Sequence, residues 1–150
     1  MLRIILGIIV GIVAAWAASF ILFTILWIVL DAETVFEPGT FDISMSWLGF
    51  GQVVTLLSGA VGGLTAGKIG RWPKMPIVFS ILVLVLAVPG VVMAATTAGD
   101  PPTPREGEVT MSDAMGNSRQ PVWSALVTSA VFAAAAFAGA RMTSPKKAGA

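Results

Sequence analysis

The chain has 150 residues and a formal net charge of +1; 56% of its residues are hydrophobic, 11% are charged, and its mean hydropathy is +0.88. A typical soluble chain carries about 25% charge, so a disordered chain is excluded and the composition weighs strongly against a soluble globular domain. The near-neutral charge excludes a strongly basic nucleic-acid binder, and the lack of Cys and His excludes disulfides, Cys/His zinc sites and His-based triads.

The first apolar run covers residues 4–30 and holds no charge. A membrane-spanning helix needs about 20 apolar residues, so this run is long enough to tilt or to project past the headgroups. Arg3 and the Ala15-Trp16-Ala17 triplet, which fits an A-x-A cleavage site, imitate a cleavable signal. The run continues past that triplet to Leu30, well beyond the roughly 7–15 apolar residues of a signal peptide, so we read an uncleaved span. Gly7, Gly11, Ala15 and Ser19 form a small-residue stripe along it. Trp16 lies mid-span and is expected to pack against a neighbouring helix.

Residues 31–46 form the first connecting loop, with Asp31, Glu33, Glu37 and Asp42 and no basic residue. These carboxylates raise the idea of a hard-cation site. Their spacing fits no EF-hand, and Pro38-Gly39 reads as an ordinary turn, so a solvated acidic loop is expected.

The second span is expected at residues 47–67. Gly51, Thr55, Gly59, Gly63 and Gly67 recur every fourth residue, and Ser58, Gly62, Ala66 and Gly70 form a parallel stripe. Lipid tails are as apolar as Leu, so helices in a bilayer associate where small residues let their backbones approach. Gly51, Gly59, Gly63 and Gly67 are therefore expected to pack helices together, as are Gly7 and Gly11 of the first span. A short basic loop, 68–76, carries Lys68, Arg71 and Lys74.

The third span is expected at 77–98, with a kink at Pro89. The loop at 99–121 is rich in proline, with Pro101, Pro102 and Pro104 favouring an extended chain. The rest of this loop shows no recognisable helix or strand pattern, and it is expected to cap that face or meet a partner. Glu106 and Glu108 are its one candidate acid–base pair. The fourth span is expected at 122–141. Its small residues form two stripes, Ala130, Ala134 and Ala138 on one and Ala135 and Gly139 on the other. Ala138 and Gly139 complete the expected packing residues.

Of the nine basic residues, Arg3, Lys68, Arg71, Lys74, Arg141, Lys146 and Lys147 fall on one side and only Arg105 and Arg119 on the other. The positive-inside rule then predicts both termini in the cytoplasm, with loops 31–46 and 99–121 outside. Trp27, Trp47 and Trp123 would sit at the outer boundary and Trp72 at the inner one. The fold class expected is an all-α, single-domain membrane protein over residues 1–150. Its four transmembrane helices would form a compact bundle of two hairpins. A faint offset of 72 residues relates Ala66-Gly67 to Ala138-Gly139, in keeping with that layout.

The Gly-rich span ending Gly62-Gly63-Leu64-Thr65-Ala66-Gly67-Lys68-Ile69-Gly70-Arg71, and the last span ending Ala138-Gly139-Ala140-Arg141, carry a resemblance. With the long first span behind a single Arg, the layout resembles small bacterial four-span integral membrane proteins of unknown function. The loop at 99–121 is longer and richer in proline than that group's pattern. The resemblance implies no catalytic or binding residues, and size with alanine–glycine usage points to a bacterial cytoplasmic membrane.

No span carries a charged side chain in its core. Such residues mark ion and proton pathways, so coupled transport and voltage sensing lose weight. A structural, accessory or assembly role leads. An oligomeric channel or passive small-solute transporter lined near Thr55, Ser58 and Gly59 is the alternative. A membrane enzyme or an outer-face cation-binding module stands behind both. No catalytic residue, cofactor or metal site is expected. The expected partners are membrane lipids, further copies of the chain or a larger membrane complex, and not nucleic acid.

Overall fold

A computed structural model describes residues 1–101, 103–105, 107 and 109–145. Pro102, Glu106, Glu108, Lys146 and Lys147 lie outside the described residues, and with them the expected Glu106–Glu108 pair. The described residues form six helices and no strand. They are α1 (Leu2–Val29), α2 (Ala32–Val35), α3 (Met45–Gly70), α4 (Met75–Thr97), α5 (Met111–Asn117) and α6 (Val122–Thr143).

Helices α1, α3, α4 and α6 are long and apolar enough to cross a membrane, and they fall on the four apolar runs. The chain is a multi-pass membrane protein. At about 1.5 Å per residue, the 28 residues of α1 reach about 42 Å, more than the roughly 30 Å of hydrocarbon. Ser44 starts α3 by accepting a hydrogen bond from the Trp47 backbone N–H. Arg71 ends it in the left-handed conformation, φ 46°, donating its N–H to Gly67 O. Pro76 occupies the first turn of α4, where no N–H is missed. Helix α4 is unbroken across Pro89, whose ring is exposed among apolar neighbours.

Helix α3 is the hub. It packs against α1 on one side and α6 on the other, and α6 in turn carries α4. The two small stripes of α3 serve different neighbours. A methyl group added at Gly62 would lie 2.7 Å from Ala15 Cβ and 2.9 Å from Gly11 O, both on α1. One added at Gly59 would lie 2.7 Å from Phe132 O, and one at Gly67 would lie 2.6 Å from Ala140 O, both on α6. These separations are closer than real Cβ contacts, so the backbones meet directly. Gly139 returns the contact, 2.5 Å from Ala60 O by the same construction. Gly7 and Gly11 meet Gly70, Ala66 and Gly62.

Gly51 and Ala138 make no backbone approach of this kind. Gly51 reaches only the Phe23 ring, at 3.8 Å. Ala138 is exposed, together with Ala130 and Ala134. The face of α6 that is buried runs through Ala125, Ala133, Ala136, Gly139 and Ala140 instead. Small residues surround this helix on every side, so composition did not single out the packed face.

Ala66, Met75, Phe79, Val83, Ala133 and Ala136 form the core at the end of the bundle that holds Arg3, Lys68, Arg71, Lys74 and Arg141. Ile4, Ile8 and Ile12 of α1 close over it. Towards the other end α1 and α4 barely touch, and Leu84, Val85, Leu86 and Val88 are exposed. Two polar ties cross from α3 to α6: Gln52 Nε2 donates to Thr128 Oγ1 at 2.8 Å, and Thr143 Oγ1 donates to Leu64 O at 3.1 Å.

Candidate functional site

The two long loops build a folded cap on the end of the bundle opposite the basic residues. Asp31 starts α2, accepting hydrogen bonds from the Thr34 N–H at 2.9 Å and the Thr34 hydroxyl at 2.8 Å. The Glu37–Thr40 turn follows, with Gly39 at φ 71° after Pro38. A non-glycine residue resists that angle, which is why the Pro-Gly pair fits here. The chain then returns, with Ser44 N–H donating to Val35 O and the Ser44 hydroxyl donating to Thr34 O.

This return buries apolar residues. Val35, Phe36, Phe41 and Ala114 form a second core, joined by Trp27, Leu30, Ile43, Trp47 and Val109. Phe36 meets Phe41 edge to face at 5.4 Å and Trp27 at 6.4 Å. The acidic first loop is thus no simple solvated loop, because its apolar residues are buried beneath its charges.

The second loop contributes α5, where the sequence shows no helical period. Thr110 and Asp113 make a reciprocal cap: Asp113 N–H donates to Thr110 Oγ1, and the Thr110 N–H and hydroxyl donate to Asp113 Oδ2. The one local signal for it is the spacing in Thr110-Met111-Ser112-Asp113.

The segment around residues 39–43 sits between pieces of the second loop. Phe41 N–H donates to Thr103 O and Arg105 N–H to Gly39 O. On the other side Ile43 N–H donates to Arg119 O, and Arg119 N–H to Phe41 O. Two arginines lock the assembly. Arg105, with a side chain only 7% exposed, pairs with Glu33 at 2.7 Å and lies 6.0 Å over the Phe36 ring. Arg119 donates to Thr97 O, Asp100 O and Pro101 O at 2.6–2.7 Å, and its Nε lies 3.9 Å from Asp42 Oδ1. It therefore fastens the end of α4, whose carbonyls carry partial negative charge, to the cap.

Three of the four carboxylates of the first loop take separate roles, and Glu37 stands exposed at the turn. Asp31 caps α2, Glu33 pairs with Arg105, and Asp42 faces Arg119. No group of three acidic side chains gathers to hold a cation among the described residues. The Thr34 hydroxyl, and then its backbone N–H, hold Asp31 below the ordinary carboxylate pKa. The Thr110 hydroxyl and N–H do the same for Asp113. A carboxylate with a depressed folded pKa contributes stability above its unfolded value, and that stability is lost as pH falls through the folded value. The cap should therefore keep its near-ultraviolet circular dichroism, from the Trp27–Phe36–Phe41 cluster, from pH 8 to pH 5. The signal should fall only below about pH 4, where carboxylates ordinarily titrate. A loss centred near neutrality would contradict this.

Beneath the cap lies an apolar cavity of about 510 Å³. Trp16, Phe20, Phe23 and Trp27 of α1 form one wall, while Phe36, Met111 and Met115 of the cap form the roof. Ser19 and Ser118 supply its only side-chain hydroxyls. Trp16 is 80% exposed on its rim, and so is not the interhelical packing residue expected. The signal for this wall was the spacing 16, 20, 23, 27, which puts four aromatic rings on one helix face. A second hollow of about 420 Å³ adjoins it, sharing Ile43, Met115 and Ser118. That hollow lies by the end of α4 and is lined by polar groups including Asp100, Asn117, Arg119 and Gln120. The first hollow is open on the side of Trp16 and Phe20, both exposed, so the medium beside it can enter.

No protein-family model, curated protein or solved structure matches the chain. The likeness to small bacterial four-span proteins therefore rests on the four apolar helices and their order alone.

Proposed function

We propose that the protein is a structural or accessory component of a bacterial cytoplasmic membrane, with both termini inside and the cap outside. The observation that carries the reading is the use of the glycine stripes. Gly59, Gly63 and Gly67 are taken up by α6 of the same chain, and Gly62, Ala66 and Gly70 by α1. Thr55 and Ser58, the residues a pore on this stripe would need, are buried at 5% and 0% exposure. What remains for partners is the lipid-facing surface and the cap.

The orientation is supported by charge. Arg3, Lys68, Arg71, Lys74 and Arg141 share one end of the bundle, and the cap end holds Arg105 and Arg119, both engaged with cap groups. Positive charge in short loops marks the cytoplasmic side. A reporter fused after Ala150 should read cytoplasmic, and one inserted at Thr103 should read external; the reverse pattern would overturn the orientation.

The role is tested by native mass spectrometry of the chain gently extracted from its own membrane. Co-purification of a defined second protein in fixed ratio is the expected result. A homo-oligomer that passes small solutes when reconstituted would replace this reading with a channel.

A further inference from the structure

The cavity under the cap has the depth, chemistry and opening of a lipid site. Its aromatic wall runs from Trp16 to Trp27, about 16 Å at 1.5 Å per residue. That is close to half of the roughly 30 Å hydrocarbon thickness, the reach of one leaflet. Its volume of about 510 Å³ holds about 17 groups the size of a water molecule or a methylene, at roughly 30 Å³ each. Trp16 stands exposed at its rim, and α4 does not close over it, so the hollow opens sideways onto hydrocarbon. At its upper end it meets the second hollow, where the lining turns polar and Asp100 and Arg119 bring charges of both signs.

We infer that the cavity seats one acyl chain of a diacyl glycerophospholipid from the leaflet on the cap side. The headgroup lies in the polar hollow beside Asn117, Arg119 and Gln120. An alkyl chain fits the walls because they offer almost no hydrogen-bonding partner. A zwitterionic headgroup fits the adjoining hollow because Arg119 and the Asp100 carboxylate both line it, and the Asn117 and Gln120 amides can donate hydrogen bonds. Such a site requires only that the four helices cross a bilayer. It stands whichever side the cap faces, and whatever the protein's role.

The test uses the whole chain in phosphatidylcholine vesicles doped with a phosphatidylcholine carrying a mid-chain diazirine. After irradiation, adducts are mapped by mass spectrometry. Adducts at Phe23 and Trp27, which are less exposed than the α4 residues Ile81 and Val85, should exceed those at Ile81 and Val85 several-fold. Ser19→Trp, which fills the cavity from the α1 wall, should cut the cavity adducts several-fold and leave the α4 adducts unchanged. Ser118→Phe should do the same from the cap wall, and so guards against misfolding of the first variant. Adducts that simply follow exposure would overturn the inference. So would cavity adducts that persist in both variants. Equal cavity labelling by a free fatty acid bearing the same diazirine would overturn the headgroup assignment.

Discussion

Gly63→Ala should destabilise the bundle more than alanine at any other glycine of α3. A methyl group at Gly63 would fall on the carbonyl oxygen of Ala136, with Ala136 C and Cα at 2.8 and 2.9 Å. All three are backbone atoms of α6, so no side chain can swing aside. The two helices must separate, and the contacts on either side, at Gly59 and Gly67, separate with them. Helix propensity works the other way, since Ala is favoured over Gly by up to about 1 kcal/mol. Overpacking a close-fitted contact costs about 1–3 kcal/mol and more where backbone must move. The clash wins at Gly63. At Gly49, where nothing lies within 4 Å, the propensity gain stands alone and alanine should be neutral or stabilising. Gly70→Ala should fall between, because the atom it meets is the terminal methyl of Met75, which can rotate. Unfolding in mixed detergent, followed by circular dichroism, orders the variants. A Gly63→Ala protein as resistant as wild type would mean that α3 and α6 are not in backbone contact. For the same reason a bulkier Gly63→Leu change would disrupt the fold before it reported on any solute path.

The spans were legible because a bilayer demands long uncharged runs, and nothing else in the chain has that length. The stripes of α3 were legible too, because glycine at every fourth position stands out in a helix that otherwise carries Val and Leu. Helix α6 resisted the same reading. Its run from Ala133 to Ala136 presents small residues in every direction, and only the position of α3 decides that Ala136 and Gly139 face inward and Ala138 faces out. The cap was hidden for a different reason. Its first loop is dominated by the acids at 31, 33, 37 and 42, with Val35, Phe36 and Phe41 scattered between them. Those residues have no helical or alternating period over so short a stretch. They are buried only because a second loop, far along the chain, supplies Ala114 and the two arginines. Long-range pairing of that kind leaves almost no local trace. Only the Thr110–Asp113 cap and the aromatic spacing on α1 were local signals.

Arg119→Gln should release the cap from α4. The guanidinium bonds three backbone carbonyls, at Thr97, Asp100 and Pro101, and faces the Asp42 carboxylate. Hydrogen bonds to a charged group contribute about 1.5–3 kcal/mol each where they are shielded from water. This side chain is partly shielded, at 18% exposure, so the summed effect should be about 2–4 kcal/mol on the docking of the cap. Glutamine keeps much of the stem but has one amide nitrogen where three acceptors wait. Lysine should rescue poorly, because a single ammonium cannot match the planar fork. The backbone bonds between Arg119 and the segment at 41–43 are open to any residue and should persist, so the two loops stay joined while both leave α4. Trypsin reports the change. Arg105 is shielded in the wild type by Glu33 and Phe36, and cleavage there requires the cap to open. In detergent, mass spectrometry should find peptides ending at Arg105 several-fold sooner in Arg119→Gln than in wild type, with cleavage after Lys68 and Arg71 unchanged as an internal reference. Equal rates at Arg105 would mean that the cap is held by its aromatic core alone, and that the arginine contacts to α4 add nothing to its docking.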